Sequence, residues 1–411
     1  MPRRSRVSVA ATTLLLSALS SSAGHADPQE FTQIERGRYL AIVSDCGSCH
    51  TVPGSNQPFA GGRLIETPFG NLVSPNITPD RDSGIGAWTD EEFDAAVRNG
   101  RARNGARLYP AMPFPYYAKM TRDEVNAIRA YLSTVAPVHN QIKSDILPFP
   151  FNVRASMMVW DQLYFKPGEF LPDTSKSKEW NRGAFLVQGP AHCGACHTPK
   201  SVLGGDKSSE AFRGYTLQGW VAPDITSGQG PLHEWSTDDL TEYLKTGHNK
   251  YAAAAGLMGE VVQLSTSNMR DDDIKAIAVY LKDVSGSAPP GPGSVDQSVI
   301  NSGEAIYQDL CAACHRHDGE GVPRLFPKLA NAATVAAADP TTVLRVILKG
   351  TQTVATDREP TGPAMPAFGW QLDDEQVAAV ASYVRNHFAH APAVSVDQVK
   401  KTRGALAART D

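Results

Sequence analysis

Apolar residues recur at helical spacing in three similar stretches of the chain, and each stretch begins with acidic side chains. Leucine, isoleucine, valine and alanine return every three to four positions there, which predicts amphipathic helices. The leading Asp and Glu residues suit helix N-termini, where unpaired N–H groups and the helix dipole favour negative charge. The three stretches are 121–132, 270–281 and 372–384. A further helix signal precedes each of them, over 88–100, 235–247 and 340–350.

The chain contains three copies of one unit. A short helical stretch opens each copy and ends at a cysteine, and the two helices described above complete the copy. The openings are 35–41, 181–187 and 302–307, which lead to Cys46, Cys193 and Cys311. Because no run alternates between apolar and polar residues, we expect an all-α fold.

The repeat also sets the expected domain limits. Residues 139–172, rich in proline and aromatic side chains, and 285–294, which contain Pro289-Pro290-Gly291-Pro292-Gly293, have the composition of linkers. We therefore expect three tandem domains and a short tail. Their limits are 28–138, 173–284 and 295–390, with the tail at 391–411.

All six cysteines occur in pairs two residues apart, and each pair is followed directly by histidine. A disulfide framework gives those histidines no role, and a zinc knuckle needs two further ligands that no spare cysteine supplies. Addition of the thiols to the vinyl groups of a porphyrin, with the histidine below the iron, accounts for all nine residues. The sequence therefore predicts three covalently bound c-type haems. The residues are Cys46, Cys49 and His50; Cys193, Cys196 and His197; and Cys311, Cys314 and His315.

Methionines are the candidate second axial ligands. The tetrapeptide Pro-Ala-Met-Pro places Met112 and Met365 in equivalent loops before the closing helices of the first and third copies. The second copy lacks it, so Met258 and Met269 compete there. Met258 is favoured because it lies 61 residues after its motif histidine, as Met112 lies 62 after its own. Met269 directly precedes a helix, as Met120 does, which is typical of core packing.

The ligand opposite each histidine decides what the iron does. Methionine fills the coordination sphere and favours electron transfer, whereas an open position favours a peroxidase or reductase. We also expect the carbonyl of Pro327, 12 residues after His315, to bind the imidazole Nδ1. His192 and His317 are interpreted as exposed neighbours of the motifs rather than ligands.

The N-terminus and the charge balance indicate an exported protein. Arg3, Arg4 and Arg6 precede an apolar stretch at 7–19, and Gly24-His25-Ala26 offers small residues for cleavage. We therefore expect a signal peptide at 1–26 and a periplasmic location. A chain cut after Ala26 keeps 43 acidic residues against 36 basic ones. No excess of positive charge is left to neutralise phosphates, so nucleic acid is not an expected partner.

With these ligand sets, the chain resembles the triheme cytochrome c subunit of bacterial membrane-associated dehydrogenases. The resemblance spans essentially the whole mature chain. It is carried by Ile77-Thr78-Pro79-Asp80, Pro148-Phe149-Pro150-Phe151-Asn152-Val153-Arg154, Glu179-Trp180-Asn181-Arg182-Gly183 and Gly256-Leu257-Met258-Gly259-Glu260. It implies three class I cytochrome c-like domains and places the family's axial methionines on Met112, Met258 and Met365.

The resemblance also implies partners. Members pass electrons from a catalytic subunit of flavin, quinone or molybdenum type to ubiquinone at the periplasmic face of the inner membrane. We therefore expect a relay with no catalytic residue for substrate in this chain. The alternatives are a multihaem peroxidase or reductase with one open haem, and a free periplasmic electron shuttle. The tail at 391–411 departs from the family pattern because it is short, basic and weakly apolar. Membrane association is then expected through the partner or through 148–165, although packing between domains is the favoured interpretation of that apolar segment.

Overall fold

The computed structural model describes residues 28–143, 146–286 and 295–407, together with positions 288, 291 and 409. The predicted signal peptide at 1–26 and most of the 285–294 linker lie outside the described residues. Within the described part, no helix has the length and apolar character needed to cross a membrane.

Helices dominate each of the three domains, as the sequence predicts. The first has helices α1 (Pro28–Val43), α2 (Cys46–His50), α3 (Asp90–Asn99), α4 (Phe114–Tyr117) and α5 (Arg122–Leu132), and strands β1 (Leu64–Thr67) and β2 (Gly70–Val73). Helix α6 (Met157–Tyr164) follows in the linker. The second domain has α7 (Lys178–Gln188), α8 (Cys193–His197), α9 (Thr237–Thr246), α10 (Gly256–Leu264) and α11 (Asp271–Asp283), and strands β3 (Tyr215–Leu217), β4 (Trp220–Ala222), β5 (Ser227–Gly228) and β6 (Ser285–Gly286).

The third domain repeats the plan and extends it. It has α12 (Gln297–Leu310), α13 (Ala312–His315), α14 (Ala333–Ala336), α15 (Thr341–Lys349), α16 (Asp374–Ala389) and α17 (Val396–Ala407), and strands β7 (Thr351–Gln352) and β8 (Ala364–Met365). The hairpins β1–β2 and β3–β4 are antiparallel pairs that the sequence pattern did not reveal. Strands this short carry too few residues for an alternating pattern to emerge.

Capping explains why the predicted helices begin where they do. At α3, α5, α9 and α16 the side chain of the residue before the helix accepts a hydrogen bond from the backbone N–H of the third helical residue. The side chain of that third residue accepts one from the backbone N–H of the cap residue. Each such box satisfies two N–H groups that the helix leaves unpaired. Glycines at positive φ, Gly100 and Gly247, end α3 and α9.

A glycine lies where the opening helix of each domain crosses its long closing helix, which is α5, α11 or α16. A β-carbon at Gly37 would lie 1.8 Å from the carbonyl oxygen of Ala127, and one at Gly183 would lie 1.9 Å from that of Ala276. Gly303 repeats the arrangement in the third domain. Only glycine allows the two backbones to approach so closely, so this position fixes the helix pair on which each domain is built.

The linker at 139–172 packs against the domains on both sides. The Trp160 ring lies edge-on to Phe114 of the first domain, with ring centroids 6.1 Å apart. Its indole Nε1 donates to the carbonyl oxygen of Leu203 in the second domain at 3.0 Å. The linker also carries exposed apolar side chains between 146 and 163, and Phe149 among them is 80% exposed. The others, which with Phe149 are called the linker face, are Ile146, Phe151, Val153, Met158, Val159 and Leu163.

Residues beyond 390 belong to the core of the third domain. Val399 and Leu406 of α17 are buried in the same cluster as α15 and α16. Arg403 donates to the Asp374 carboxylate at 2.7 Å and to the carbonyl oxygen of Gly369 at 2.6 Å. The segment that the sequence sets apart as a tail thus covers one side of this domain.

Candidate haem sites

Each motif histidine has its Nδ1 hydrogen bonded to the carbonyl oxygen of a proline. The N–H donates to that oxygen, which leaves Nε2 with a free lone pair directed away from the backbone. The prediction for Pro327 is therefore confirmed, and the first two domains use the same device. The pairs are His50 with Pro75 at 2.8 Å, His197 with Pro223 at 2.7 Å and His315 with Pro327 at 3.0 Å.

The two prolines that sequence reasoning missed follow the short hairpins. Pro223 comes directly after β4, and Pro75 comes two residues after β2. Asn76 Oδ1 accepts from the Thr78 N–H at 2.9 Å, and Asp224 Oδ1 accepts from that of Thr226 at 2.7 Å. These turns hold the proline carbonyls in place. The signal was the repeated pattern of proline, Asn or Asp, isoleucine and threonine.

The motif cysteines are free thiols rather than disulfides. Burial raises the pKa of the Cys46, Cys49 and Cys193 thiols to about 12, so they are neutral near pH 7. In the described part of the chain, no group of three or more His, Cys, Asp or Glu side chains is placed to hold a metal ion by itself. The zinc alternative therefore has no support in the structure.

Burial also lowers the pKa of His50, His197 and His315, and the proline carbonyls oppose the shift only in part. The imidazoles are therefore neutral in the folded chain, which is the state that ligates iron.

The three methionines predicted to be ligands differ in their surroundings from Met120 and Met269. Met112 packs with Cys46 against the core of the first domain, while Met258 and Met365 line a cavity with the motif histidines of their own domains. By contrast, Met120 and Met269 are fully buried in the cores. In the second domain, the structure thus brings Met258 rather than Met269 to the wall that His197 shares.

That cavity of about 790 Å³ extends from the second domain into the third. Mostly apolar side chains form its wall, which suits a flat apolar macrocycle. Because one space reaches both motifs, the two sites open onto each other. The motif and methionine residues on the wall are Cys193, Cys196, His197 and Met258, and Cys311, Cys314, His315 and Met365.

Comparison with known proteins gives the family. The model of the cytochrome c family matches residues 34–136 and 300–388. The chain is 38% identical to the fructose dehydrogenase cytochrome subunit of Gluconobacter japonicus, over 96% of this chain and 88% of that one. It is 37% identical to the gluconate 2-dehydrogenase cytochrome c subunit of Pantoea cypripedii, over 93% and 92%. Identity is 36% to the cytochrome c subunit of the quinone alcohol dehydrogenase of Gluconobacter oxydans, over 96% and 87%.

The chain belongs to the family of dehydrogenase cytochrome c subunits. Its function is electron transfer, and its cytochrome c domains indicate covalently bound haem c. The all-helical prediction is confirmed in its main feature, since tandem, mostly helical cytochrome c domains make up the fold. The residues present fit haem c, because a proline carbonyl orients the imidazole at each motif and an apolar wall faces the second and third motifs.

The third motif of this cytochrome differs from the first two. Asp45 and His192, which precede the first two motifs, have φ of 51° and 37°. Helix α12 instead runs up to the third motif, and the left-handed residue, Arg316, follows it with φ of 64°. Cys314 is exposed, whereas the other five motif cysteines are partly buried. The third motif therefore faces solvent most openly.

The interpretation of His192 as an exposed neighbour is wrong, because its ring lies at the junction of the first two domains of the cytochrome. It contacts the edge of the Tyr117 ring, with centroids 5.6 Å apart. Its Nε2 lies 3.4 Å from the carbonyl oxygen of Ser44. His317 is exposed, as expected, and its Nδ1 pairs with Gln308.

Proposed function

We propose that this cytochrome carries three haems c and relays electrons from a catalytic dehydrogenase subunit to ubiquinone or another acceptor of the respiratory chain. The observation that carries the proposal is the histidine–proline pair, which recurs at all three Cys-x-x-Cys-His motifs. A bound haem supplies one-electron chemistry. The chain would attach it through two cysteines and present one neutral imidazole to the iron at each motif.

Met112, Met258 and Met365 are the proposed ligands opposite His50, His197 and His315. A thioether in that position leaves no room for a substrate at iron, which favours a relay over a peroxidase or reductase. The placement of Met258 and Met365 on the cavity wall supports this assignment. The proposed domains are 28–138, 173–284 and 295–390, with α17 added to the last.

The names of the relatives support a catalytic partner. They are cytochrome subunits of fructose, gluconate and quinone alcohol dehydrogenases, so we assign this cytochrome to an oxidoreductase complex with a subunit of flavin, quinone or molybdenum type. The positive and then apolar pattern of 1–26 supports export to the periplasm.

The linker supports a location at the periplasmic face of the inner membrane. Its exposed large side chains between 146 and 163 are mostly apolar, and the two ionisable side chains of this segment are half-buried and paired. Arg154 donates to the carbonyl oxygen of Arg107, and Asp161 pairs with the Arg107 guanidinium. The linker face therefore exposes an uncharged surface with aromatic side chains, of the kind that inserts into the interfacial layer of a lipid bilayer.

The proposal is tested on the full chain, matured in a periplasm that attaches haem c. Intact mass and the pyridine haemochrome spectrum should give three haems per chain. The reduced protein should be low-spin and should not bind carbon monoxide. Rapid carbon monoxide binding at one haem would establish the peroxidase or reductase alternative instead.

Purification from the native host distinguishes a subunit from a shuttle. A dehydrogenase subunit should remain with the cytochrome through two chromatographic steps in mild detergent. Recovery of the cytochrome alone in the periplasmic fraction, still able to accept electrons, would favour the free shuttle.

A further inference from the structure

Two adjacent tyrosines of α4 reach toward different haem attachment motifs. The Tyr117 hydroxyl donates to the carbonyl oxygen of Ser44 at 2.7 Å, and Ser44 lies two residues before Cys46. The same ring contacts His192, the residue before Cys193. Tyr117 is buried in the core that also packs Cys46. It thus lies between the first motif and the second.

Tyr116 reaches the second motif itself. A β-carbon at Gly194, between the two motif cysteines, would lie 2.6 Å from the Tyr116 hydroxyl oxygen. The hydroxyl donates to the Asp206 carboxylate, which also pairs with Lys200, and the Lys200 ammonium donates to the Gly194 carbonyl oxygen at 3.1 Å. A ring of contacts therefore fastens Tyr116 to the backbone that carries the second pair of cysteines.

The pair is not a general feature of the haem-binding loop. The tetrapeptide that contains Met112 recurs around Met365, but Gly369 and Trp370 stand where Tyr116 and Tyr117 follow it in the first domain. Trp370 is 81% exposed. In the first domain, which has the tyrosines, the second domain packs against this loop. We therefore assign the tyrosines to the junction between the first two domains rather than to the haem pocket.

We propose that Tyr116 and Tyr117 are positioning residues that set the distance and the electronic coupling between the first and second haem sites. The inference rests on the proposed function, which places a haem at each site. One electron leaves one iron and is gained by the other, and no bond forms or breaks. Burial raises the pKa of both hydroxyls well above the usual range, and the Asp206 carboxylate adds to the shift at Tyr116, so both hydroxyls stay protonated.

The physical reason is the steep fall of tunnelling with distance, above all across gaps that no atom fills. Tyr116 and Tyr117 are joined by one peptide bond and contact the two motifs on either side. They therefore offer a short, packed connection between the sites. His192 also contacts the Ser44 carbonyl oxygen directly, at 3.4 Å. A smaller side chain at 117 would leave a gap beside that contact, because the Tyr117 ring now packs against both residues.

The test compares Tyr117→Leu, Tyr117→Phe and Tyr116→Phe with Tyr39→Phe in the full, haem-loaded chain. Tyr39 is the matched control, since its hydroxyl donates to Asp273 at 2.5 Å across the same domain boundary. Haem content is counted first. Redox titration and electron redistribution after pulse reduction are then measured, with the third haem as internal reference.

Tyr117→Leu should slow redistribution between the first two haems about tenfold, as loss of a supporting contact does at other metal sites. The phenylalanine variants should shift the potentials of those two haems and leave the third unchanged, and Tyr39→Phe should do neither. Rates and potentials equal to those of Tyr39→Phe would overturn the inference. A haem count below three in the unmutated chain would instead overturn the proposed function.

Discussion

The imidazole Nδ1 of His197 lies 2.7 Å from the carbonyl oxygen of Pro223, 26 residues later in the chain. The hairpin β3–β4 brings the two together, and the turn at Asp224 holds the carbonyl in place. A proline carbonyl oxygen also accepts from Nδ1 of the other two motif histidines. Mutation cannot remove a backbone carbonyl, so the test addresses the Asp224 side chain that holds this carbonyl in place.

We predict that Asp224→Ala weakens the second haem site, whereas Asp224→Asn does not. Alanine loses the acceptor for the Thr226 N–H, which costs about 1 kcal/mol of unfolding free energy, and frees the carbonyl that orients His197. Asparagine keeps the acceptor, as Asn76 does in the first domain, although it loses the ion pair with Arg213.

Denaturant unfolding and the potential of the second haem are the measurements for this pair of variants. Equal effects of alanine and asparagine would assign the role of Asp224 to its charge and contradict the prediction.

The sequence predicted the chemistry of this protein better than its geometry. Spacing alone identified the cysteines and histidines, and register selected Met258, because both depend on residues close in the chain or repeated in it. The tyrosine pair and the partners of His50 and His197 depend on contacts between elements far apart. Helix α17 was missed because its few apolar residues, Val399 and Leu406, read as a weakly apolar tail until the third domain provides a surface for them.

Met258 and Met269 give opposite predictions on substitution by alanine. Met258→Ala should open the second iron, lower its potential and allow carbon monoxide to bind, since it removes the proposed thioether ligand. Met269→Ala should leave the haem spectrum unchanged but lower the unfolding free energy by about 2–5 kcal/mol, because this side chain is 2% exposed in the core. If Met269→Ala bound carbon monoxide and Met258→Ala did not, Met269 would be the iron ligand and Met258 the packing residue.

The glycine crossing predicts a large cost for one added methyl group in the third domain. Gly303→Ala places a β-carbon 2.1 Å from the Ala379 carbonyl oxygen, so the helices must separate at a cost of about 3 kcal/mol. Gly404→Ala is the matched control in α17, where nothing lies within 4 Å, and it should stabilise by up to about 1 kcal/mol. Urea unfolding followed by Soret absorbance compares them. Similar urea midpoints for Gly303→Ala and Gly404→Ala would contradict the prediction, because α12 and α16 would then separate at little cost.

The linker face predicts binding to lipid vesicles. Phe149→Ser combined with Leu163→Ser should reduce co-sedimentation of the haem-loaded chain with phosphatidylglycerol-containing vesicles, because both side chains are exposed on that face. Phe31→Ser, at an exposed apolar position of α1, is the control and should change nothing. Unchanged sedimentation of the double variant would place membrane contact elsewhere, in the partner subunit.

Asp273, at the junction of the first two domains, is predicted to make the stability of the fold depend on pH. Its carboxylate accepts from Arg182 Nε at 2.7 Å and from the Tyr39 hydroxyl at 2.5 Å. Burial raises the pKa of this carboxyl, but the hydrogen bonds from Arg182 and Tyr39 and the Arg182 charge outweigh burial and lower it to about 2. The folded pKa is therefore below the unfolded one, so the carboxylate stabilises the fold above about pH 4.

That stabilisation is lost as the pH falls from about 4 to about 2, and it amounts to roughly 1–2 kcal/mol because solvent reaches Arg182. Asp273→Asn should lower stability at pH 7, and the difference from the unmutated chain should shrink through this window. Asp272→Asn, one residue earlier and exposed, should show no such convergence. The measurement is the urea midpoint of each chain between pH 2 and 7. If the midpoints of Asp273→Asn and the unmutated chain kept the same difference below pH 4, the ion pair would not be the cause.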